Sequence, residues 1–185
     1  MNVFDVLCRD HERMRQLANR LTGGKGDPPG SPREQHKLAE RLVMEGSAHE
    51  AIEEQFFWPV VRDRLEGGDA LASAGIQQEM GARNLLHELN RMKAGNQHFM
   101  TIVFSIASHL RSHATYEEVQ IWPKLELALD RADLESIGNA MEAARKLAPT
   151  RPHPHTPPVA GLLRTVGPLV GAVDRAVDAM TLRGR

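Results

Sequence analysis

The stretch His49-Glu50-Ala51-Ile52-Glu53-Glu54-Gln55-Phe56-Phe57-Trp58-Pro59 returns sixty-four residues later as His113-Ala114-Thr115-Tyr116-Glu117-Glu118-Val119-Gln120-Ile121-Trp122-Pro123. Both copies share a His, two successive Glu and a Trp-Pro pair at the same spacing. A His and a Glu four residues apart lie on one face of a helix, about one turn apart. Two such helices that face each other bring two imidazoles and two carboxylates together, a ligand set that suits a first-row transition metal. The repeat therefore predicts a metal site inside a helical bundle.

The composition is that of an ordinary soluble globular protein. The chain has 185 residues, 41% of them hydrophobic and 25% charged, and its net charge is −1. This near-neutral charge gives no reason to expect a nucleic-acid partner, and no apolar run is long enough to span a membrane. The N-terminus lacks the features of a secretory signal, and the single Cys8 excludes an internal disulfide, so we expect a cytoplasmic protein. The oligomeric state is not indicated.

Helical periodicity runs through the chain. Apolar spacing predicts four long helices, over residues 3–21, 33–58, 69–94 and 96–122. Pro59 is expected to interrupt the second, with a further turn or two over residues 60–66 left open, and Pro123 to stop or kink the fourth. Asp69 is a candidate N-cap of the third helix, and Asp133 of a short fifth helix that runs to residue 146. The predicted fold class is all-α, an up-down-up-down four-helix bundle with a short fifth helix.

The composition changes after the fifth helix. Residues 148–158 are rich in proline and predict an extended linker. Residues 159–182 predict an amphipathic C-terminal helix. Its apolar stripe consists of Leu169, Val170, Val173, Ala176, Val177 and Met180, backed by Asp174, Arg175 and Asp178. We therefore divide the chain into a metal-binding helical bundle over residues 1–147, the linker and the terminal helix.

A third ligand helix is predicted from the bundle topology. The second and fourth helices run in the same direction, so their His and Glu pairs lie at matching depth. His11 lies near the middle of the first helix, directly after Asp10. A single His in a helix is most often a surface or core residue. Beside the two repeats, we interpret His11 as a further ligand.

The residues that carry a family resemblance are Asp10-His11, His49-x3-Glu53 and His113-x3-Glu117, with each repeat closed by Pro. Together they resemble the hemerythrin-like (HHE cation-binding) family, and the resemblance covers residues 1–147. The resemblance implies a four-helix bundle around two non-heme irons, bridged by two carboxylates and an oxygen species. Carried over position by position, it implies that Glu53 and Glu117 are the bridges. His11 and His49 would then be the remaining ligands of one iron, and His113 would be a ligand of the other.

The third helix departs from the family pattern. The family places a His near the start of this helix, and that position here holds Met80. Glu79 is one residue away, about 100° of helix rotation, and we interpret it as the replacement ligand. A thioether from Met80 suits an iron site poorly. The remaining alternative is that Met80 packs in the core and that the second metal is weak or missing.

Four acidic or basic residues next to the ligands are candidates for supporting roles: Glu45, His109, Glu54 and Glu118. Glu45 and His109 precede the two repeat histidines by one turn, and we expect a hydrogen bond between them across the bundle, with ligation by His109 as the alternative. Glu54 and Glu118 follow the bridging Glu in each repeat. A charge beside the core face is most often solvated, and contact with a ligand His is the functional alternative.

Three more residues near the predicted site are expected to be structural. Trp58 and Trp122 are expected to pack at the end of the bundle and to close it against water. Cys8 lies one turn before His11, and we expect its thiol to be buried.

The resemblance implies a non-heme di-iron protein, and some hemerythrin-like proteins act as non-heme catalases. We therefore expect a reaction with hydrogen peroxide or dioxygen, with a catalase-like or oxidative-stress role. Classical hemerythrins carry dioxygen with five imidazoles and two carboxylates, whereas this chain offers three of those imidazoles. Oxygen-rich ligation favours irreversible oxygen chemistry, so an oxygen carrier is not expected. Two alternatives stay open: a sensor of iron, oxygen or nitric oxide without turnover, and a bundle with one iron or another first-row metal. A metal-free bundle is disfavoured because five inward ligands would be costly to bury unpaired.

Overall fold

The structure, a computed structural model, describes residues 1–24, 30–154 and 160–181, and every regular element in these ranges is helical. The helices are α1 (Val3–Thr22), α2 (Pro32–Ile52), α3 (Trp58–Arg64), α4 (Gly68–Arg91), α5 (Phe99–Tyr116), α6 (Trp122–Ala128), α7 (Arg131–Arg145) and α8 (Ala160–Thr181). Two π-helical turns, Glu53–Phe57 and Glu117–Ile121, join α2 to α3 and α5 to α6. The predicted all-α class is confirmed. None of the described helices combines the length and apolarity needed to cross a bilayer.

Four long helical segments form the bundle. α1 packs against α2 and α5, and α4 packs against the same two helices from the other side. The two copies of the repeat, at the ends of α2 and α5, therefore face each other across the diagonal of the bundle. Apolar clusters fill the interior on both sides of that level, one around Leu7, Ile52 and Trp58 and the other around Met14 and Leu42. The predicted ligands thus lie between two hydrophobic cores.

Both prolines of the repeat stand where their long helices are interrupted, as expected, and in each copy a short further helix follows. The helical path continues beyond Pro59 to Arg64 and beyond Pro123 to Ala128. In each copy the preceding Trp donates its backbone N–H to the first Glu of the π-turn, five residues back. Each Pro therefore stands in the first turn of a new α-helical segment, where its missing N–H is tolerated.

Two of the predicted caps are also wrong. Gly67, in the left-handed region with φ of 67°, is the N-cap of α4, and Asp69 is the second residue of the helix, where it pairs with Arg62. α7 is capped by Asp130, whose carboxylate accepts the backbone N–H of Asp133 at 2.8 Å. In both cases the cap lies two or three residues before the position that we inferred.

The C-terminal helix docks through its polar face. Asp174 and Asp178 are 4% and 6% exposed, whereas Leu169, Val173 and Met180 are 65%, 57% and 77% exposed. An amphipathic helix ordinarily buries its apolar stripe. Here the buried carboxylates are matched by donors from the linker, which lie on residues 150 and 151. Over residues 168–181, where side chains are described, these hydrogen bonds hold the polar face of α8 against the protein. Residues 155–158 of the predicted linker, and residues 159 and 182 of the predicted helix, lie outside the described residues.

Candidate metal centre

Six buried side chains converge at the level between the two hydrophobic cores. Two groups have ligand atoms that all lie within 4.8 Å of one another: His11, His49, Glu53 and Glu117 (subsite 1), and Glu53, Glu79 and His113 (subsite 2). No member of either group is more than 6% exposed. These six residues are the set that the sequence predicted as ligands, and they come from all four long segments of the bundle.

Both carboxylates of the repeat face both subsites. Glu53 places Oε1 3.2 Å from His49 Nε2 and Oε2 3.4 Å from His113 Nε2. Glu117 places Oε2 3.2 Å from His11 Nε2 and Oε1 3.4 Å from the same His113 nitrogen. Each carboxylate thus directs one oxygen to each side. This is the arrangement that a bridge between two cations requires.

Several ligand atoms have no hydrogen-bond partner among the described residues. They are Nε2 of His11 and His49, Oε1 of Glu53, Oε2 of Glu79 and both carboxylate oxygens of Glu117. Buried polar atoms are ordinarily paired, and a cluster of unpaired carboxylate oxygens is especially costly. Imidazole nitrogen and carboxylate oxygen are also suitable donors for a first-row metal. The residues present therefore fit a bound cation.

The ionisation of the cluster is unusual. Burial raises the pKa of Glu53 well above its ordinary value, and the charge of Glu117 adds to the effect. Burial opposes ionisation of Glu117 too, but His113 and His11 outweigh it and hold the pKa of Glu117 at about 2. Burial lowers the pKa of His49 to about 4, so this imidazole is neutral at physiological pH. A neutral imidazole keeps the lone pair that a metal needs.

Glu79 is the inward residue of α4, and Met80 is not. The Glu79 carboxylate is 1% exposed and accepts a hydrogen bond from the indole N–H of Trp58. Burial and then the charge of Glu53 raise the pKa of Glu79 well above its ordinary value. Met80 is 46% exposed, so neither thioether ligation nor core packing describes it. The inward position on this helix is therefore one residue earlier than the family alignment indicates.

One of the four predicted supporting residues, Glu118, contacts a predicted ligand. Glu118 accepts a hydrogen bond from His11 Nδ1 at 2.9 Å and another from Arg15 at 2.5 Å. Glu54 is buried and pairs with Arg83, together with Glu50, and not with a ligand His. Burial raises the pKa of Glu50 to about 7, although Arg83 opposes the shift. Glu118 of the second repeat thus contacts a predicted ligand. The acidic residues of the first repeat, Glu50 and Glu54, instead form a buried ion-pair cluster with Arg83.

The predicted contact between Glu45 and His109 is absent. Glu45 pairs with Arg145 of α7, and His109 is exposed, with its Nδ1 3.1 Å from the carbonyl oxygen of Ser105. The position that faces the interior one turn before His113 is Leu110, which is 9% exposed. His109 therefore ligates nothing. A helical period of 3.6 residues makes the third preceding residue as good a candidate as the fourth.

Several contacts of the site were not predicted. The Trp122 ring stacks on that of His11, with centroids 5.8 Å apart and an angle of 7°. Asp10 and Arg145 lie behind His49, and Arg83 lies behind the ion-pair cluster. The spacing of four residues from Glu79 to Arg83 was a usable signal, because it places both on one face. Cys8 is exposed, contrary to the expectation of a buried thiol.

Comparisons with known proteins agree with this arrangement. The hemerythrin HHE cation-binding domain matches residues 2–97. An uncharacterized hemerythrin-like protein of Schizosaccharomyces pombe is 22% identical over 179 residues, which cover 96% of this chain and 86% of the relative. The crystal structure of a hemerythrin HHE cation-binding domain-containing protein from Mycobacterium kansasii has the same fold, with a TM-score of 0.67 at 21% identity over 94% of this chain and 99% of that one. The chain belongs to the hemerythrin HHE cation-binding domain family.

Proposed function

We propose that the chain binds two first-row metal ions, with iron as the native metal, and that the loaded protein consumes hydrogen peroxide or dioxygen. The observation that carries this proposal is the orientation of Glu53 and Glu117, each with one oxygen toward each subsite. A carboxylate with both oxygens engaged in this way serves two cations at once. The family membership and the unpaired buried donor atoms support the same conclusion.

In this proposal each residue of the cluster is assigned to one or both subsites. His11 and His49 complete subsite 1, His113 and Glu79 complete subsite 2, and the two repeat carboxylates join them. Two irons in these positions would supply redox chemistry in which two electrons are exchanged with one small oxidant. The hydrophobic cores above and below the ligands exclude bulk water, which strengthens each electrostatic contact inside. Three carboxylates give a harder donor set than an imidazole-rich one, which favours turnover over reversible storage.

The experiment is to load the protein with iron, determine the metal content and add hydrogen peroxide. Disproportionation converts two peroxide molecules into two waters and one dioxygen, so oxygen release measures turnover directly. We expect about two irons per chain and oxygen release well above that of the matched Glu117→Ala variant. Metal content below about half an equivalent would reject the metal-binding proposal. Full loading without oxygen release or oxygen consumption would reject turnover alone.

A sensor without turnover is the second candidate, for iron, oxygen or nitric oxide. It is favoured by one path of contacts. Arg145 of α7 pairs with Asp10, which lies beside His49. The linker that follows α7 is in turn hydrogen-bonded to Asp174 of α8. A change at the ligands thus has a route to the terminal helix. Hydrogen exchange of residues 169–181 in reduced and oxidised iron-loaded protein would test this candidate. Unchanged protection in α8 would reject it.

A further inference from the structure

An arginine from outside the four-helix bundle reaches the ligand level. Arg145, near the end of α7, forms ion pairs with Asp10 of α1 and Glu45 of α2. The Arg145 side chain is 12% exposed, the Asp10 carboxylate is 1% exposed, and Glu45 retains 32% exposure. Asp10 therefore depends on this contact more than Glu45 does, because Glu45 can also be solvated. Arg9 adds a second, longer contact with Asp10 at 3.6 Å.

Asp10 in turn stands behind a predicted ligand. Its Oδ2 lies 3.8 Å from His49 Nδ1, just beyond hydrogen-bonding distance, and this nitrogen is buried with no hydrogen-bond partner among the described residues. The other ring nitrogen, Nε2, lies 3.2 Å from Glu53. The imidazole is thus placed between the site on one side and a charged carboxylate on the other. His11 has an equivalent arrangement, with Glu118 behind its Nδ1 at 2.9 Å.

A carboxylate behind a ligand imidazole has a definite effect. It keeps the proton on the remote nitrogen, so that the lone pair of Nε2 faces the metal, and it limits rotation of the ring. A buried carboxylate can do this only if its own charge is balanced. Arg145 provides the balance for Asp10. Residues of this kind commonly alter metal affinity by 10- to 100-fold when they are replaced.

We propose that Arg145, acting through Asp10, is a positioning residue for His49, so that α7 is a functional part of the metal centre. This inference rests on the proposed function, since it takes His49 to be a ligand. The competing interpretation is that Arg145 only fixes α7 to the bundle. The chain offers a control for that interpretation, because Glu142 of α7 also pairs with Arg9 of α1 but does not contact Asp10 or His49. Glu142→Gln weakens the docking of α7 but leaves in place the contacts of Arg145 with Asp10 and of Asp10 with His49; Glu142 is linked to Asp10 only through the longer contact of Arg9.

The experiment measures binding of cobalt(II) by its visible absorption in the wild type and in full-length variants. We expect Arg145→Met to weaken binding at subsite 1 by about 10- to 100-fold, while Glu142→Gln binds as the wild type does. Arg145→Met leaves Asp10 buried and unpaired, so a double variant, Asp10→Leu with Arg145→Met, replaces the pair by apolar side chains of similar size. Such a replacement of a buried pair is often neutral or stabilising. We expect the double variant to melt near the wild type and to keep the weakened cobalt binding.

A second readout reports on the ring itself. In the zinc-loaded protein, long-range nitrogen–proton NMR spectra distinguish the two tautomers of His49. We expect one tautomer, with the proton on Nδ1, in the wild type and a mixture or a broadened signal in the double variant. Wild-type cobalt affinity in the well-folded double variant would overturn the proposal, as would an equal loss in Glu142→Gln. A wild type that binds neither metal would instead reject the proposed function.

Discussion

The indole N–H of Trp58 donates a hydrogen bond to the carboxylate of Glu79. Trp58 is fully buried and Glu79 is 1% exposed, so the contact is shielded from water. The tryptophan of the first repeat thus holds the one α4 carboxylate that faces the site. This contact fixes the Glu79 carboxylate toward the candidate metal centre, whereas the next residue, Met80, is left at the surface.

We expect Glu79→Ala to reduce iron binding from about two equivalents to about one, because subsite 2 then keeps only His113 and the shared carboxylates. Glu79→His should retain two equivalents, since it restores an imidazole at the inward position. Met80→His is the matched control and should not change the stoichiometry, because residue 80 is 46% exposed. Iron analysis after anaerobic loading measures all three. Two full equivalents in Glu79→Ala would contradict the assignment of Glu79.

Gly75 provides the space for the Trp58 ring. A Cβ atom at this position would overlap the ring directly, whereas one at Gly81 would make only ordinary contact with His109, at 3.5 Å. We expect Gly75→Ala to lower the free energy of unfolding by about 1–3 kcal/mol through overpacking. Gly81→Ala should raise it by about 0.5–1 kcal/mol, since Ala is favoured over Gly within a helix. Urea denaturation of the metal-free proteins tests both, and equal effects would contradict the role of Gly75.

Neutralising Glu53 should have opposite effects on the stability of the metal-free protein and on its stabilisation by iron. Burial and the nearby Glu117 make the charge of Glu53 costly without a cation. We therefore expect Glu53→Gln to raise the melting temperature of the metal-free protein by about 2–4 °C, which corresponds to ~1 kcal/mol in a domain of this size. Iron should no longer raise it further. The exposed Glu88→Gln is the control, and a lower melting temperature for metal-free Glu53→Gln would count against the prediction.

Arg83 balances two buried carboxylates, Glu50 and Glu54. Arg83→Met leaves both without a partner, and we expect it to lower the free energy of unfolding by about 3–5 kcal/mol, the usual cost of breaking a buried ion pair. The triple variant Arg83→Met, Glu50→Gln, Glu54→Gln removes all three charges and should recover most of that loss. Denaturant titration at constant pH measures the two effects. A triple variant as unstable as the single one would show that packing, and not charge, is responsible.

The docking of α8 should weaken in acid. Burial opposes ionisation of Asp174, but its hydrogen bonds with His153 and with the linker backbone hold the pKa of Asp174 below its ordinary value of 3.8. A carboxylate with a lowered pKa in the folded state stabilises that state fully above its ordinary pKa, and the contribution is lost as the pH falls through the lowered one. We expect hydrogen exchange in residues 169–181, corrected for intrinsic rates, to increase below about pH 4. Asp174→Asn should show weak protection already at pH 7.

The helical repeat accounts for how much of the site could be predicted. His49, Glu53, His113 and Glu117 could be identified because the face of a residue follows from local helical period alone. The same rule failed for His109. Leu110 and His109 precede His113 by three and four residues, and the helical period alone does not decide which of them faces the interior. Local period also gave no sign of the π-turn before Pro59, which changes the hydrogen-bond register of the helix. Asp10 was noted only as the neighbour of His11, because its role depends on Arg145, 135 residues away.

The sequence by itself determined the all-α class, the paired metal-ligating motifs and their family, since each follows from short-range periodicity and residue type. The tertiary structure alone decided which α4 residue faces the site, which residues balance the buried carboxylates, and which face of α8 docks. These outcomes depend on contacts between distant segments. In α8 the buried Asp174 and Asp178 accept hydrogen bonds from donors in the linker, and in this orientation Leu169, Val173 and Met180 of the apolar stripe are exposed. Local amphipathicity marks the two faces of a helix, but the partner that it meets determines which face is buried.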